Sequence, residues 1–208
     1  MKVTHFYLIR HGETDWNHLK KLQGHTDIPL NESGIKQAKR IAKRLATTPI
    51  DHFYSSDLKR AKRTAQEIVR YHDLKPVLQA EEFRERCYGE WEGLHWDQIP
   101  KLYPGYGGGR PLGGEFGIET YEAMQQRGMS KLTELIGAHP NQHIAIISHG
   151  GFINSILHLI SDGEVGTGKT KILNTSLNHI SYEAGKWDIH TINDCAHLEF
   201  GEKKNDGL

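Results

Sequence analysis

Apolar positions change period along this chain, and each change marks an element. From Val3 to Ile9 apolar and β-branched residues run almost unbroken and stop at Arg10, His11 and Gly12, the pattern of a buried strand. Between Ser33 and Leu45 the period lengthens. Ile35, Ala38, Ile41, Ala42 and Leu45 recur at helical intervals, while Lys36, Lys39, Arg40, Lys43 and Arg44 form an opposite basic face expected to be solvated. Ile50 to Tyr54 predicts a second strand. Ser55 and Ser56 offer N-cap hydroxyls, and Leu58, Ala61, Ala65, Ile68 and Val69 give the next helical stripe. Pro76 to Leu78 predicts a short third strand.

Beyond it the alternation breaks. The stretch from Phe83 to Arg127, with its aromatic cluster and glycine run, is expected to be an inserted lobe. Within it, Tyr103 to Gly117 holds seven glycines and two prolines, too many for regular structure. A helix is expected from Ile118 to Ile136. His143 to Ile147 then reads as a central strand ending at Ser148, His149, Gly150 and Gly151, ahead of a helical pattern from Phe152 to Ile160. Leu177 to Tyr182 and Trp187 to Ile192 complete the sheet. Strands separated by helices predict a three-layer α/β/α fold with a mostly parallel central sheet, whose ligands gather at the carboxyl ends of the strands. Arg10, His11, Ser55, His149 and Gly150 would all stand at such ends.

Composition narrows the function. With 208 residues the expectation is a single domain carrying the lobe. Lys plus Arg and Asp plus Glu both total 26, so there is no overall basic field for nucleic acid or anionic lipid, and any anion must be held locally. Two cysteines, Cys87 and Cys195, with no short spacing argue against a disulfide scaffold or a cysteine zinc site, and fit a reducing compartment. The first residues lack the apolar stretch of a signal peptide, and nowhere do ~18 apolar residues run together. A cytoplasmic protein is expected. The fourteen histidines show no H-E-x-x-H or comparable paired spacing, so no metal site is expected and they are read as scattered surface and core residues.

The segment Leu8 to Asn17, LIRHGETDWN, resembles the histidine phosphatase superfamily, also called the phosphoglycerate mutase-like family. Four further stretches are similar to that family in its own order: LQGHTDIPLNESG (22–34), SSDLKRAKRTA (55–65), FRERCYGEWEG (83–93) and SHGG (148–151). The resemblance implies a phosphoglycerate mutase-like fold and a metal-independent phosphomonoester phosphatase with no cofactor. In that reading His11 takes up the phosphoryl group, oriented by the backbone carbonyl of Gly12. Arg10, Arg60 and His149 surround it, Glu85 gives and takes the proton, and Asn17, Gln23, Gly24 and Gly150 contact phosphate. Its partners would be a small phosphorylated metabolite and, as product, inorganic phosphate.

Physical chemistry asks for the same parts. Phosphoryl transfer is mostly positioning and charge stabilisation, so cationic donors must surround the group. Only an unprotonated ring nitrogen can attack phosphorus, so His11 must be neutral, whereas a protonated His149 would add a point charge beside the open amides at the start of the following helix. One carboxyl can protonate the leaving oxygen and later activate water. Glu85 stands beside Arg84 and Arg86, with which an ordinary ion pair is the alternative. Glu13 is a rival by proximity to His11, though the family does not use that position as its acid.

Two other functions stay open. Glu85-Arg86-Cys87-Tyr88-Gly89 is similar to the mutase version of the motif, although family mutases carry extra covering segments for which 208 residues leave no room; Trp91-Glu92-Gly93 is similar to the phosphatase branch. A catalytically inactive phosphate-binding protein is the third reading. Trp91 and Trp96 are both read as core aromatics. The glycine-rich stretch, residues 105–117, is expected to close over the leaving group, with Arg110 touching a second acidic group. Phe116 stands where the family often has Ser. Finally, GEVGTGKT (163–170) satisfies the G-x-x-x-x-G-K-S/T expression, but a helical pattern precedes it where a phosphate-binding loop needs a strand. It is read as a solvent loop, and Lys169→Ala is expected to leave activity intact.

Overall fold

The structure is a computed structural model describing residues 2–104 and 113–199. Its centre is a six-stranded sheet of β1 (Val3–Arg10), β2 (His52–Ser55), β3 (Val77–Gln79), β4 (His143–Ser148), β5 (Leu177–Glu183) and β6 (Lys186–Asp194), in the order β3-β2-β4-β1-β5-β6. β3, β2, β4 and β1 pair in parallel; β5 runs antiparallel to both β1 and β6. Helices α1 (Asp15–His18), α2 (Glu32–Leu45), α3 (Lys59–Val69), α4 (Ile99–Leu102), α5 (Tyr121–Ala138), α6 (Gly150–Ile160) and α7 (Ala196–Glu199) complete the described regular structure, with two 3-10 turns at Glu81–Phe83 and Gly89–Trp91. No helix is long and apolar enough to cross a membrane among the described residues.

Strand periodicity sorts the core into two layers. Phe6, Leu8, Ile144 and Ile146 face α5 and α6, where Leu132, Leu135, Phe152 and Ile156 meet them. Their alternates Tyr7, Ile9, Ala145 and Ile147 face Ile41, Leu45, Ala61 and Ile68 of α2 and α3. Each large aliphatic buried this way contributes about 1.5–3 kcal/mol, which is why the unbroken apolar runs of β1 and β4 end up central. The basic residues of α2 are exposed, as expected. On the other face α5 and α6 approach closely at Gly128, where a Cβ would stand 2.7 Å from the Phe152 ring.

The lobe packs a small core of Trp91, Ile99 and Ile118 against Leu22 of the loop after α1. It ends earlier than Arg127, because Thr120 caps α5 by accepting from Ala123 N. Neither Ser55 nor Ser56 caps α3: Leu58 is the N-cap and makes no side-chain cap bond, while the Ser56 hydroxyl accepts from Leu58 N. Neither cysteine is in a disulfide among the described residues. The histidines are less scattered than expected, since His5, His143, His179 and His190 gather on one face of the sheet with ring centroids as close as 4.5 Å.

Candidate active site

Three strand ends converge at one corner: Arg10 closes β1, Ser55 closes β2 and Ser148 closes β4. His11 leaves β1 with its amide donating to Ser148 O at 2.9 Å. Its Nδ1 lies 2.6 Å from Gly12 O. A carbonyl can only accept, so Nδ1 carries the proton and Nε2 keeps the lone pair. Burial, with Arg60 and Arg10 close by, holds the His11 pKa well below the ordinary histidine value, so the ring is neutral. The turn that achieves this needs two glycines. A Cβ on Gly12 would sit 2.4 Å from Gly34 O, and one on Gly34 would sit 2.0 Å from Glu13 O.

His149 is the N-cap residue of α6, fully buried, its ring edge-on to His11 with centroids 5.0 Å apart. Arg60 Nε donates to its Nδ1 at 3.2 Å. An accepting Nδ1 puts the His149 proton on Nε2, which has no partner among the described residues. Burial, then Arg60, His11 and Arg10, hold its pKa well below the ordinary value. His149 is therefore a neutral N–H donor and not the protonated point charge expected from sequence; two neighbouring guanidiniums and the loss of water disfavour a third positive charge.

Arg60, one residue into α3, is fully buried and donates to Thr26 O at 2.9 Å and Gly24 O at 2.7 Å. With the bond to His149, three of its N–H groups are engaged and one remains on each terminal nitrogen. Burial pushes its pKa down to about 10, which still leaves it charged at neutral pH. Arg10 donates to Ile172 O at 2.7 Å, and its Nε is buried with no partner among the described residues. Gly150 begins α6 against Arg10, whose Nε would lie 3.2 Å from a Cβ there.

Gln23 and Gly24 belong to the loop that receives Arg60. Gln23 is buried and accepts from the Thr14 hydroxyl at 2.8 Å; Gly24 has φ +51 and lies against the Glu92 carboxylate. Asn17 closes a capping box with Thr14 and accepts from Asn174 Nδ2 at 3.2 Å, so its carbonyl oxygen is occupied. Glu85 arrives from the lobe and accepts from Gly151 N at 3.0 Å, Phe152 N at 2.9 Å and its neighbour Arg86 N at 3.0 Å. The amides expected to be open at the start of α6 are thus filled by this carboxylate. Glu85 pairs with neither adjacent arginine: Arg84 binds Asp57 and Glu81, and Arg86 donates to Glu119 O. Glu13 accepts from Asn31 Nδ2 at 3.0 Å, beside the α2 cap.

Arg10, Glu85, Gly150 and Gly151 line a cavity of about 700 Å³ whose outer wall includes Lys20, Tyr88, Trp96, Tyr121 and residues 167–172. The model of the histidine phosphatase superfamily (branch 1) matches residues 6–195. The chain belongs to that superfamily. It is 37% identical to the uncharacterized phosphatase PhoE of Bacillus subtilis, covering 94% of this chain and 97% of that protein. It is 34% identical to a metal-independent phosphoserine phosphatase of Arabidopsis thaliana, over 95% of this chain and 84% of the relative. Among solved structures, the phosphoserine phosphatase of Entamoeba histolytica in complex with phosphoserine superposes with a TM-score of 0.79 at 31% identity, over 94% of this chain and 99% of that one.

Two expectations for this superfamily member change. Residues 163–170 follow α6, and Lys169 Nζ donates to Gly163 O within the same loop, so no phosphate-binding loop forms. Yet the loop is not idle solvent structure: residues 167–170 line the cavity, tied to α6 by Asn154 Nδ2 donating to Thr170 O at 3.0 Å. Trp91 is core, as read, but Trp96 is 39% exposed and forms cavity wall. Phe116 packs on Trp91 and Tyr103. Arg110 and the triplet Gly107–Gly109 lie outside the described residues.

Sequence reasoning missed three supporting side chains of this superfamily member. Glu92 accepts from the amides of His25, Thr26 and Tyr88, shaping the loop whose carbonyls hold Arg60. Arg127 donates to the carbonyls of Glu82, Arg84 and Glu85. Asn174 donates to His11 O at 3.0 Å. Only Glu92 lay in a stretch singled out beforehand.

Proposed function

We propose that this protein is a phosphomonoester phosphatase working through a phosphohistidine on His11, with a small phosphorylated metabolite as substrate. The observation that carries this is the His11 ring: its Nδ1–H is bound by Gly12 O, its charge is suppressed, and its free Nε2 lone pair stands among Arg10, Arg60 and the His149 Nε2–H. In the first half-reaction Nε2 attacks phosphorus, the ester P–O bond breaks, and Glu85 delivers a proton to the departing oxygen. In the second, Glu85 takes a proton from water as its oxygen attacks phosphorus, the P–N bond breaks, and inorganic phosphate leaves. The unspent hydrogens of the two guanidiniums and of His149 meet the charge on the non-bridging oxygens throughout. The same donors do the work that a metal ion does in other phosphatases.

Hydrolysis is favoured over mutase-type transfer because the cavity is bordered by exposed residues, Lys20, Trp96 and Lys169 among them, which leave water a route to the intermediate. The lysines also suit a substrate bearing a second anionic group. One assay series tests the reading: hydrolysis of small phosphomonoesters with a chelator present, interconversion of 2- and 3-phosphoglycerate, and acid-quench trapping of labelled protein. Metal-independent hydrolysis with an acid-labile, alkali-stable adduct is expected. In His11→Ala the adduct should vanish and turnover fall by at least about 10⁴-fold. Efficient interconversion with little hydrolysis would replace the phosphatase by a mutase, and no turnover of any substrate would leave a phosphate-binding protein.

A further inference from the structure

Away from the phosphoryl corner, three strands bring His5, His179 and His190 together, although they stand far apart in sequence. One ring nitrogen from each lies within 4.8 Å of the other two, and His5 Nδ1 is 3.1 Å from His179 Nε2. We propose that these three histidines form a binding site for a divalent transition-metal ion of the zinc class, independent of phosphoryl transfer.

The first argument is spacing. With Zn–N bonds of about 2.0–2.1 Å, two imidazole ligands of a tetrahedral ion stand roughly 3.4 Å apart. The His5–His179 pair is close to that separation, and rotation of the exposed His190 closes the third side. Strand placement is the second. Between His179 and Ile180 the β5–β6 register slips: His179 pairs with Thr191 and Ile180 with Ile189, leaving His190 as the extra residue of a bulge. A bulge re-aims a side chain, and here the re-aimed ring sits 4.5 Å, centroid to centroid, from His179.

Surrounding groups hold the rings in place. Tyr7 stacks on His179 at 4.7 Å and its hydroxyl contacts His143 Nδ1 at 3.1 Å, while His143 stacks on His5. The Ser181 hydroxyl contacts His190 Nε2 at 2.7 Å, which leaves Nδ1 of that ring to ligate. Such second contacts orient metal-bound histidines. At 3.1 Å one of the facing nitrogens of His5 and His179 donates to the other, and a metal ion takes the place of that shared hydrogen once the donating ring moves its proton to its other nitrogen. An all-imidazole set selects zinc, copper or nickel over magnesium or calcium. Three protein ligands with an exposed third ring leave the fourth position to solvent. His5 precedes Arg10 by five residues, about 17 Å along β1, so an ion here would tie β1, β5 and β6 together without touching the phosphate.

The test uses chelator-treated full-length protein and Zn²⁺ or Co²⁺ alone. Wild type is expected to bind one equivalent in competition with a chromophoric chelator, to show tetrahedral Co²⁺ absorption, and to gain at least ~3 °C in thermal midpoint with saturating Zn²⁺. His190→Ala, at an exposed position, and His5→Gln should each weaken binding by at least ~100-fold, since even outer partners of a ligand cost 10–100-fold. His95→Ala, in a histidine paired with Asp97 elsewhere, should leave binding unchanged, and all three variants should hydrolyse phosphomonoesters at the wild-type rate. No stoichiometric binding by wild type, undiminished binding in His190→Ala and His5→Gln, or loss of the ion in His95→Ala would each overturn the site. None of these outcomes depends on the phosphatase reading.

Discussion

On the inner side, next to the cavity-lining Arg10, Glu85 and Gly150, Arg60 and His149 are fully buried, and main chain holds much of the cluster: Arg60 by Thr26 O and Gly24 O, His11 by Gly12 O, Glu85 by three amides. At the outer end Lys20, Trp96, Lys169 and Lys171 are exposed. Inner groups therefore cannot adapt to a new ligand without breaking several bonds at once, while outer ones can change by single substitutions. Under the proposed function, chemistry lives where the backbone dictates position and selectivity where side chains stand in water.

The comparison breaks first at Glu92. It touches none of the proposed reacting groups, yet it shapes the loop that anchors Arg60. Glu92→Gln should lower kcat about 10–100-fold with a smaller change in KM, since charge-assisted bonds of this kind are worth about 1.5–3 kcal/mol. Unchanged kcat would show that the inner end does not need its scaffold. Acidification tests the same region through stability. His11 and His149 have folded pKa values below their unfolded ones, so between the unfolded value near 6.5 and the folded values the unfolded chain binds more protons. Stability should fall as pH drops below about 6.5, by up to about 1.4 kcal/mol per pH unit for each ring. A thermal midpoint flat from pH 6.5 to 5 would mean that both rings titrate as ordinary histidines. The smallest effect belongs at the rim. Lys169→Ala and Lys171→Ala should raise KM about 2–5-fold for substrates with a second anionic group and leave simple phosphate esters unaffected, in keeping with exposed charge pairs of 0.2–1 kcal/mol. Equal changes for both substrate types would dissolve the distinction between chemistry and selectivity.

Much of the fold was legible because its signals are local. The apolar run of β1, the two-sided helix α2 and the short strand before SHGG each carry their period within a dozen residues, and all three form as read. Of the residues that the resemblance supplied, Arg10, His11, Arg60, Glu85, His149 and Gly150 are brought together at one corner. What failed depends on partners distant in sequence. The His149 charge is set by burial and then by Arg60, eighty-nine residues away, and the α6 amides are occupied by a carboxylate from the lobe. Residues 167–170 line the cavity together with Arg10 of β1 and Glu85 of the lobe. The histidine cluster needs β1, β5 and β6 paired in one register, with a bulge, before it exists. No window of sequence contains such information.

The sheet's two margins carry a consequence for the molecule in concentrated solution. β3 offers only three residues, directly after Pro76, and β6 is interrupted by two register shifts and bears Lys186 and Asp188 on its exposed positions. Short, charged or kinked borders make poor templates for strand addition. This architecture thus resists the edge-to-edge joining that leads flat sheets into aggregates.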